Sequence, residues 1–294
     1  MKKNRMVSQF VIHVVLILMS ICILYPLLLC LGVSFTNEQE VWHDGYKMIP
    51  KDFDVSGYKY VFSNPQKVLN AYKTTIIFSV AATFGSLFCC SMMAYPLSRK
   101  NFRFRSILNF YFYFTCLFSG GLVPAYLLRT KYLHMDDTIW IYIIPFLVSA
   151  WTIFYIRASF QAIPEEMIES AVMDGASEWR ILLRFMIPLS KPVLATRALI
   201  GFLGHWNDWY TSMLYIRKNR ELTSLQYLLQ EILQDLELLR QANTNALNYI
   251  DITEIPGETA RMAMMFVVAG PALVIFPFFQ KYFVKGMTVG SVKG

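Results

Sequence analysis

Six apolar runs decide what this chain can become. Phe10 to Phe35, Ala71 to Pro96, Ile107 to Leu128, Thr138 to Ile156, Val193 to Ile216 and Arg261 to Phe283 each come close to, or exceed, the roughly 20 residues that a helix needs to cross a bilayer. A backbone in lipid must satisfy its own hydrogen bonds, so runs of this kind fold as helices. The expected fold class is an all-α membrane protein with six transmembrane helices. Composition agrees: 16% of the residues are charged and 55% hydrophobic, where a soluble domain carries nearer a quarter charged. The first run is too long for a signal-peptide core and no small-residue cleavage site follows it, so it counts as a span, with Pro26 as its kink. Gly120, Gly121 and Pro124 predict a break near the outer end of the third.

Charge sets the direction. The formal net charge of +7 sits in short clusters beside apolar runs, the pattern of membrane topology and not of nucleic-acid binding. Six spans place both termini on one side, which holds fourteen Lys and Arg against twelve in the longer loops opposite. Orientation weighs basic residues close to span ends, and the clusters at Met1–Arg5 and at Arg99, Lys100, Arg103 and Arg105 make that side cytoplasmic. Cys22, Cys30, Cys89, Cys90 and Cys116 lie inside apolar runs and read as small buried hydrophobes. The four histidines are scattered, no phosphate-binding glycine loop occurs, and no nucleophile has a recognisable base. The chain is therefore expected to bind no cofactor and to catalyse nothing by itself.

Two polar stretches interrupt the spans. Gln161 to Pro192 reads as two short helices broken at Gly175, on the cytoplasmic side. Pro164 suits a first helical turn, and Glu165 and Glu166 suit a helix N-terminus. Glu165 and Glu169 are expected to face outward together, with Met167, Ala171 and Val172 as an apolar side. A second helix from about Ser177 carries Trp179, Leu182, Leu183 and Met186 until Pro188 interrupts it. An interfacial helix would usually be basic on its polar face, so this acidic knob suits a groove on a soluble partner better. On the opposite side, the loop from Arg217 to Ala260 contains an amphipathic helix over Leu222 to Leu239. It either caps its own bundle or docks an external partner.

The fifth run holds the informative membrane residues. Trp206, Trp209, Tyr210 and Met213 fall at i, i+3, i+4 and i+7, and Gly201, Gly204 and Asp208 line an adjacent stripe. An acid inside a span should face a cavity or a partner. Aromatic faces beside Asn207 and Asp208 suit sugar rings, which offer an apolar face and a rim of hydroxyls. The alternative is an interfacial aromatic belt.

Glu169-Ser170-Ala171, Asp174-Gly175-Ala176, Ile187-Pro188-Leu189 and Pro192 together resemble the "EAA" coupling loop of ABC importer permeases. The departures are Ser170 for the first alanine and Pro188 directly after isoleucine. Trp206-Asn207-Asp208 is similar to an element of the carbohydrate-uptake branch, as is the ending Phe278 to Phe283 with Lys285, Gly286 and Gly290 to Gly294. Phe118 to Pro124 resembles a subgroup that handles complex oligosaccharides. The resemblance implies a type I importer permease fold. Its parts would be an N-terminal span and outer loop over 1–70, a five-helix core over 71–294, a coupling loop at 161–192 and an extracytoplasmic loop at 217–260. It implies a second homologous permease, an ABC ATPase dimer that uses ATP and magnesium, an external solute-binding protein and an oligosaccharide cargo, all in a bacterial plasma membrane. The coupling residues would be Glu165, Glu169, Ala171, Asp174, Gly175, Ala176 and Pro188, with Glu169 meeting basic residues of the ATPase. The path for the sugar would be lined by Trp206, Asn207, Asp208, Trp209, Tyr210 and Met213. The rival cargoes are peptides and amino acids. A secondary transporter would need ion-coupling acids in paired broken helices, and Asp208 is the only acid placed in a span.

Overall fold

The computed structural model describes residues 2–245 and 257–291, with side chains over 9–238, over 257–275 and at 277. The side chains from Phe278 onward, including Lys281, Lys285 and Lys293, and residues 246–256 of the long loop lie outside the described residues. The helices, in chain order, are α1 (Lys2–Ser34), α2 (Glu38–Asp44), α3 (Ser56–Val61), α4 (Pro65–Ser98), α5 (Arg105–Leu117), α6 (Leu122–Leu127), α7 (Ala150–Gln161), α8 (Glu165–Met173), α9 (Glu178–Ile181), α10 (Ile187–Leu189), α11 (Lys191–Trp206), α12 (Tyr210–Tyr215), α13 (Leu225–Asn245) and α14 (Gly257–Ser291).

Among the described residues, three helices are long and apolar enough to cross a membrane, and up to six spans result if each bent pair counts as one. Gln9–Ser34, Pro65–Ser98 and Gly257–Ile275 are the clear ones. The third run breaks where Gly120 and Gly121 predict it, with α5 and the stretch from Leu122 to Tyr132 meeting at 110°. The fourth is bent by 46°. It opens as two 3-10 turns around Pro145, which cannot donate to a helix ladder, and becomes α7 only at Ala150.

The fifth run departs from expectation. It is not one helix from Val193 to Ile216: α11 stops at Trp206, and α12 begins only at Tyr210. The bent pair of this region is instead Glu178–Leu189 with Lys191–Trp206, at 77°. The helix starting at Ser177 also passes through Pro188 and ends at Leu189, not at the proline. Pro188 has no N–H for the carbonyl of Arg184, and the turn before it, Leu182–Met186, widens to π geometry.

The chain divides into two compact units, 1–66 with 229–270, and 67–228 with 271–294. In the first, Phe35 stacks between Phe53 and Tyr58 at 5.2 and 5.0 Å. The buried Glu38 carboxylate accepts from the N–H groups of Glu258 and Thr259 and from Thr259 Oγ1, each at 2.9 Å, at the start of α14. In the second, one core gathers Cys90, Ala94 and Leu97 of α4, Ile153, Ile156 and Phe160 of α7, Ile168 and Ala171 of α8, and Ile181 of α9. A further core holds Phe78, Met135, Ile141, Tyr142, Tyr215 and Ile216, with Phe78 and Tyr142 stacked at 4.5 Å.

Candidate functional site

Two constellations carry the sequence-predicted residues. The first is the pair of short helices between α7 and α11. Pro164 takes an extended conformation and precedes the first turn of α8, where Glu165 and Glu166 complement the helix dipole. At the other end, Gly175 lies at φ +77°. Its N–H donates to Val172 O at 2.9 Å and that of Ala176 to Ala171 O at 3.0 Å, the paired bonds of a Schellman cap. Asp174 is the C-cap, and Ala176 packs against the core beneath. Ser177 Oγ then caps the next helix by accepting from Arg180 N–H at 3.4 Å. Pro188 lies within α10.

The buried face of α8 differs from expectation. Ile168 and Ala171, three apart, point onto α4 and α7, because those helices lie on that side. Met167 and Val172 flank this face and are exposed, as is Met173 at 87%. The acids also part company. Glu165 Oε2 accepts from Lys100 Nζ at 2.6 Å, and that hydrogen bond holds the Glu165 carboxyl below its usual range. Glu169 is exposed and makes no ion pair among the described residues. Tyr95 on α4 donates its hydroxyl proton to Glu178 on α9, a second tie from the span to the knob.

The second constellation is the break after α11. Asp208 Oδ1 accepts from Thr211 N–H at 3.0 Å, a local bond that starts a new helix instead of continuing the old one. The Asp208 carbonyl accepts from Ser224 Oγ at 2.8 Å. Ser212 Oγ donates to Ser224 Oγ at 3.0 Å, and the Tyr142 hydroxyl lies within donating reach of both Ser212 Oγ and, at 2.9 Å, Leu222 O. Thr75 Oγ1 on α4 accepts from Leu225 N–H at 2.8 Å. The break is thus held by a buried polar network.

A cavity of about 660 Å³ opens on this break. Asn207, Asp208, Trp209 and Tyr210 line it, with Gly201 and Gly204. Trp206 and Met213 do not: Trp206 is 1% exposed and stacks on Phe202 at 5.7 Å. The helical stripe of four therefore does not form, since the turn that would align it is missing. Asp208 Oδ2 is buried without a hydrogen bond.

Arg197, Arg129 and His205 also line the cavity, and the residue patterns did not single them out. Arg197 carried a signal all the same, as an ionisable residue inside an apolar run. Among the described residues, no group of three or more His, Cys, Asp or Glu could hold a metal ion.

The family described as "Binding-protein-dependent transport system inner membrane component" matches residues 86–289. Protein LplC of Bacillus subtilis (strain 168) is 36% identical over 92% of this chain and 89% of its own. The polygalacturonan/rhamnogalacturonan transport system permease protein YtcP of the same organism is 32% identical over 99% of this chain and all of its own. A chain from the crystal structure of a bacterial ABC transporter involved in the import of the acidic polysaccharide alginate superposes with a TM-score of 0.79 at 29% identity, covering 94% of this chain and 96% of that one.

Proposed function

This chain belongs to the family of binding-protein-dependent transport system inner membrane components, and we propose that it is one permease wall of an ATP-driven oligosaccharide importer. The cavity on the α11 break carries the reading: Trp209 and Tyr210 offer flat apolar faces there, and Asn207 and Asp208 offer hydroxyl-binding groups. Relatives are named for polygalacturonan/rhamnogalacturonan and for arabinooligosaccharides, which supports an oligosaccharide cargo over a peptide or an amino acid.

In this reading six spans cross the plasma membrane with both termini in the cytoplasm. The α8–α10 knob faces the cytoplasm and docks on a separate ATPase, which performs the hydrolysis. Glu169 is the acid that meets basic residues of that ATPase: Glu165 already serves Lys100, while Glu169, like Glu166, makes no ion pair among the described residues. Met167, Val172 and Met173 supply the apolar contact. A second permease completes the path, and a solute-binding protein delivers cargo at the outer surface, where α13 lies.

The test uses the complex of both permeases, the ATPase and the binding protein in proteoliposomes. Asn207→Ala and Trp209→Ala are expected to lower sugar-stimulated ATP hydrolysis while the ATPase still co-purifies. Glu169→Lys is expected to reduce that co-purification. Unchanged stimulation in both cavity variants would remove the path assignment, and full docking with normal uptake by Glu169→Lys would remove the coupling assignment.

A further inference from the structure

We infer that the cargo of this path carries carboxylate groups, as a uronic-acid oligomer does; the inference rests on reading the cavity as a sugar path. Its walls hold two arginines, Arg129 and Arg197, and one acid, Asp208. Arg197 lies on α11, inside an apolar run, where a charged side chain is expensive to keep and is retained for a partner or a passage. Arg129 sits on the turn that follows α6.

Neither arginine is used up by the fold. Arg197 Nε donates to Thr152 Oγ1 at 2.9 Å, and Arg129 Nη1 donates to the Tyr215 hydroxyl at 3.2 Å, with its guanidinium 5.6 Å above that ring. Each guanidinium carries five N–H donors. Neither makes an ion pair with a carboxylate among the described residues. The bonds made hold each group in place and leave most of its donors available.

A neutral sugar entering such a cavity would strip water from two cations and return only hydroxyl contacts. A carboxylate matches the guanidinium fork in shape and charge, and such a pair compensates for the lost water. The aromatic pair Trp209 and Tyr210 serves the ring face of either sugar, so the arginines alone discriminate. Asp208 argues for hydroxyls on the same cargo, since a carboxylate in the wall repels a like charge and accepts only from donors.

The assembled importer, with its binding protein, is offered three tetramers: tetragalacturonate, its methyl ester and neutral galactotetraose. Tetragalacturonate is expected to drive uptake. Arg197→Gln and Arg129→Gln are each expected to lower the acid-to-ester uptake ratio by about tenfold, the loss of one charged hydrogen bond. Arg197→Lys, which keeps the charge, is expected to retain part of it. The ratio is compared between variant and parent because both share one binding protein, whose own selectivity cancels. Should a variant fail to assemble, the other arginine, on a different element, carries the same comparison. Uptake of galactotetraose but not of the acid, or an unchanged ratio in both Gln variants, would overturn the inference and leave sugar import standing. Uptake of none of the three by an assembled complex would instead overturn the sugar path itself.

Discussion

Lys100 and Glu165 meet at 2.6 Å, joining the basic turn that ends α4 to the first residue of α8. The pair is exposed, so water and salt screen it and its thermodynamic weight is small. Its value is positional, because it engages Glu165 and leaves Glu166 and Glu169 as the exposed acids of α8.

Its dependence on pH has a definite sign. The Lys100 hydrogen bond depresses the Glu165 carboxyl below its ordinary 4.5, so the contribution is present above that value and is lost as pH falls through the depressed one. The same bond raises Lys100 above 10.5, so the contribution is present below that value and lost as pH rises through the raised one. Between roughly pH 6 and 9 a double-mutant cycle of Lys100→Ala and Glu165→Ala, read by thermal unfolding, is expected to give a flat coupling that shrinks with added salt. A coupling that rises with salt would contradict the pair.

Asp137 holds a turn by itself. Its Oδ1 accepts the backbone N–H groups of Arg217, Lys218 and Asn219 at 2.7, 2.8 and 3.0 Å, while its own backbone sits at φ +53°. Burial raises the carboxyl, but the three N–H donors outweigh it and the net shift is downward from 3.8. Asp137→Ala is expected to lose about 1–2 kcal/mol in thermal unfolding, after allowance for the exposure of the turn. Asp137→Asn keeps an acceptor and tolerates this backbone, so it should lose less. The wild-type advantage over Asn should vanish as pH falls through the depressed value.

At the start of α14, Glu38 is the equivalent device with a buried carboxylate. Gly57 allows the approach: a Cβ there would stand 2.7 Å from the Thr259 carbonyl. Glu38→Ala orphans two N–H groups and a hydroxyl, and the expected loss is about 2–3 kcal/mol. Gly57→Ala should destabilise by about 1–3 kcal/mol through overpacking. Melting temperatures of both variants equal to the parent would show that this contact does not hold the unit.

Local signals carried far in this chain and distant ones did not. Gly120 and Gly121 mark a break, and Gly175 marks a cap, because a glycine acts on its own backbone. The break at Asn207 to Trp209 rests on Ser224, Tyr142 and Thr75, contributed by other segments, so the run reads as continuous helix until those partners are known. Which face of α8 turns inward is likewise settled by α4 and α7. Arg197 is hidden for another reason: only four residues past Val193, it reads equally well as a basic residue flanking a span end.

Gly175 separates conformation from packing. A Cβ built there meets nothing within 4 Å, so any penalty for a side chain comes from its φ of +77°. For an ordinary residue this left-handed backbone costs roughly 1–2 kcal/mol, and asparagine adopts it more readily. Relieving it would undo the bonds from Gly175 and Ala176 and free the last turn of α8, which carries Met173. Gly175→Ala and Gly175→Leu are therefore expected to reduce uptake and ATPase co-purification together, with membrane insertion intact. Gly175→Asn should keep most of both. If alanine matched glycine in both measurements, or asparagine did no better than leucine, the cap would not be what shapes the docking knob.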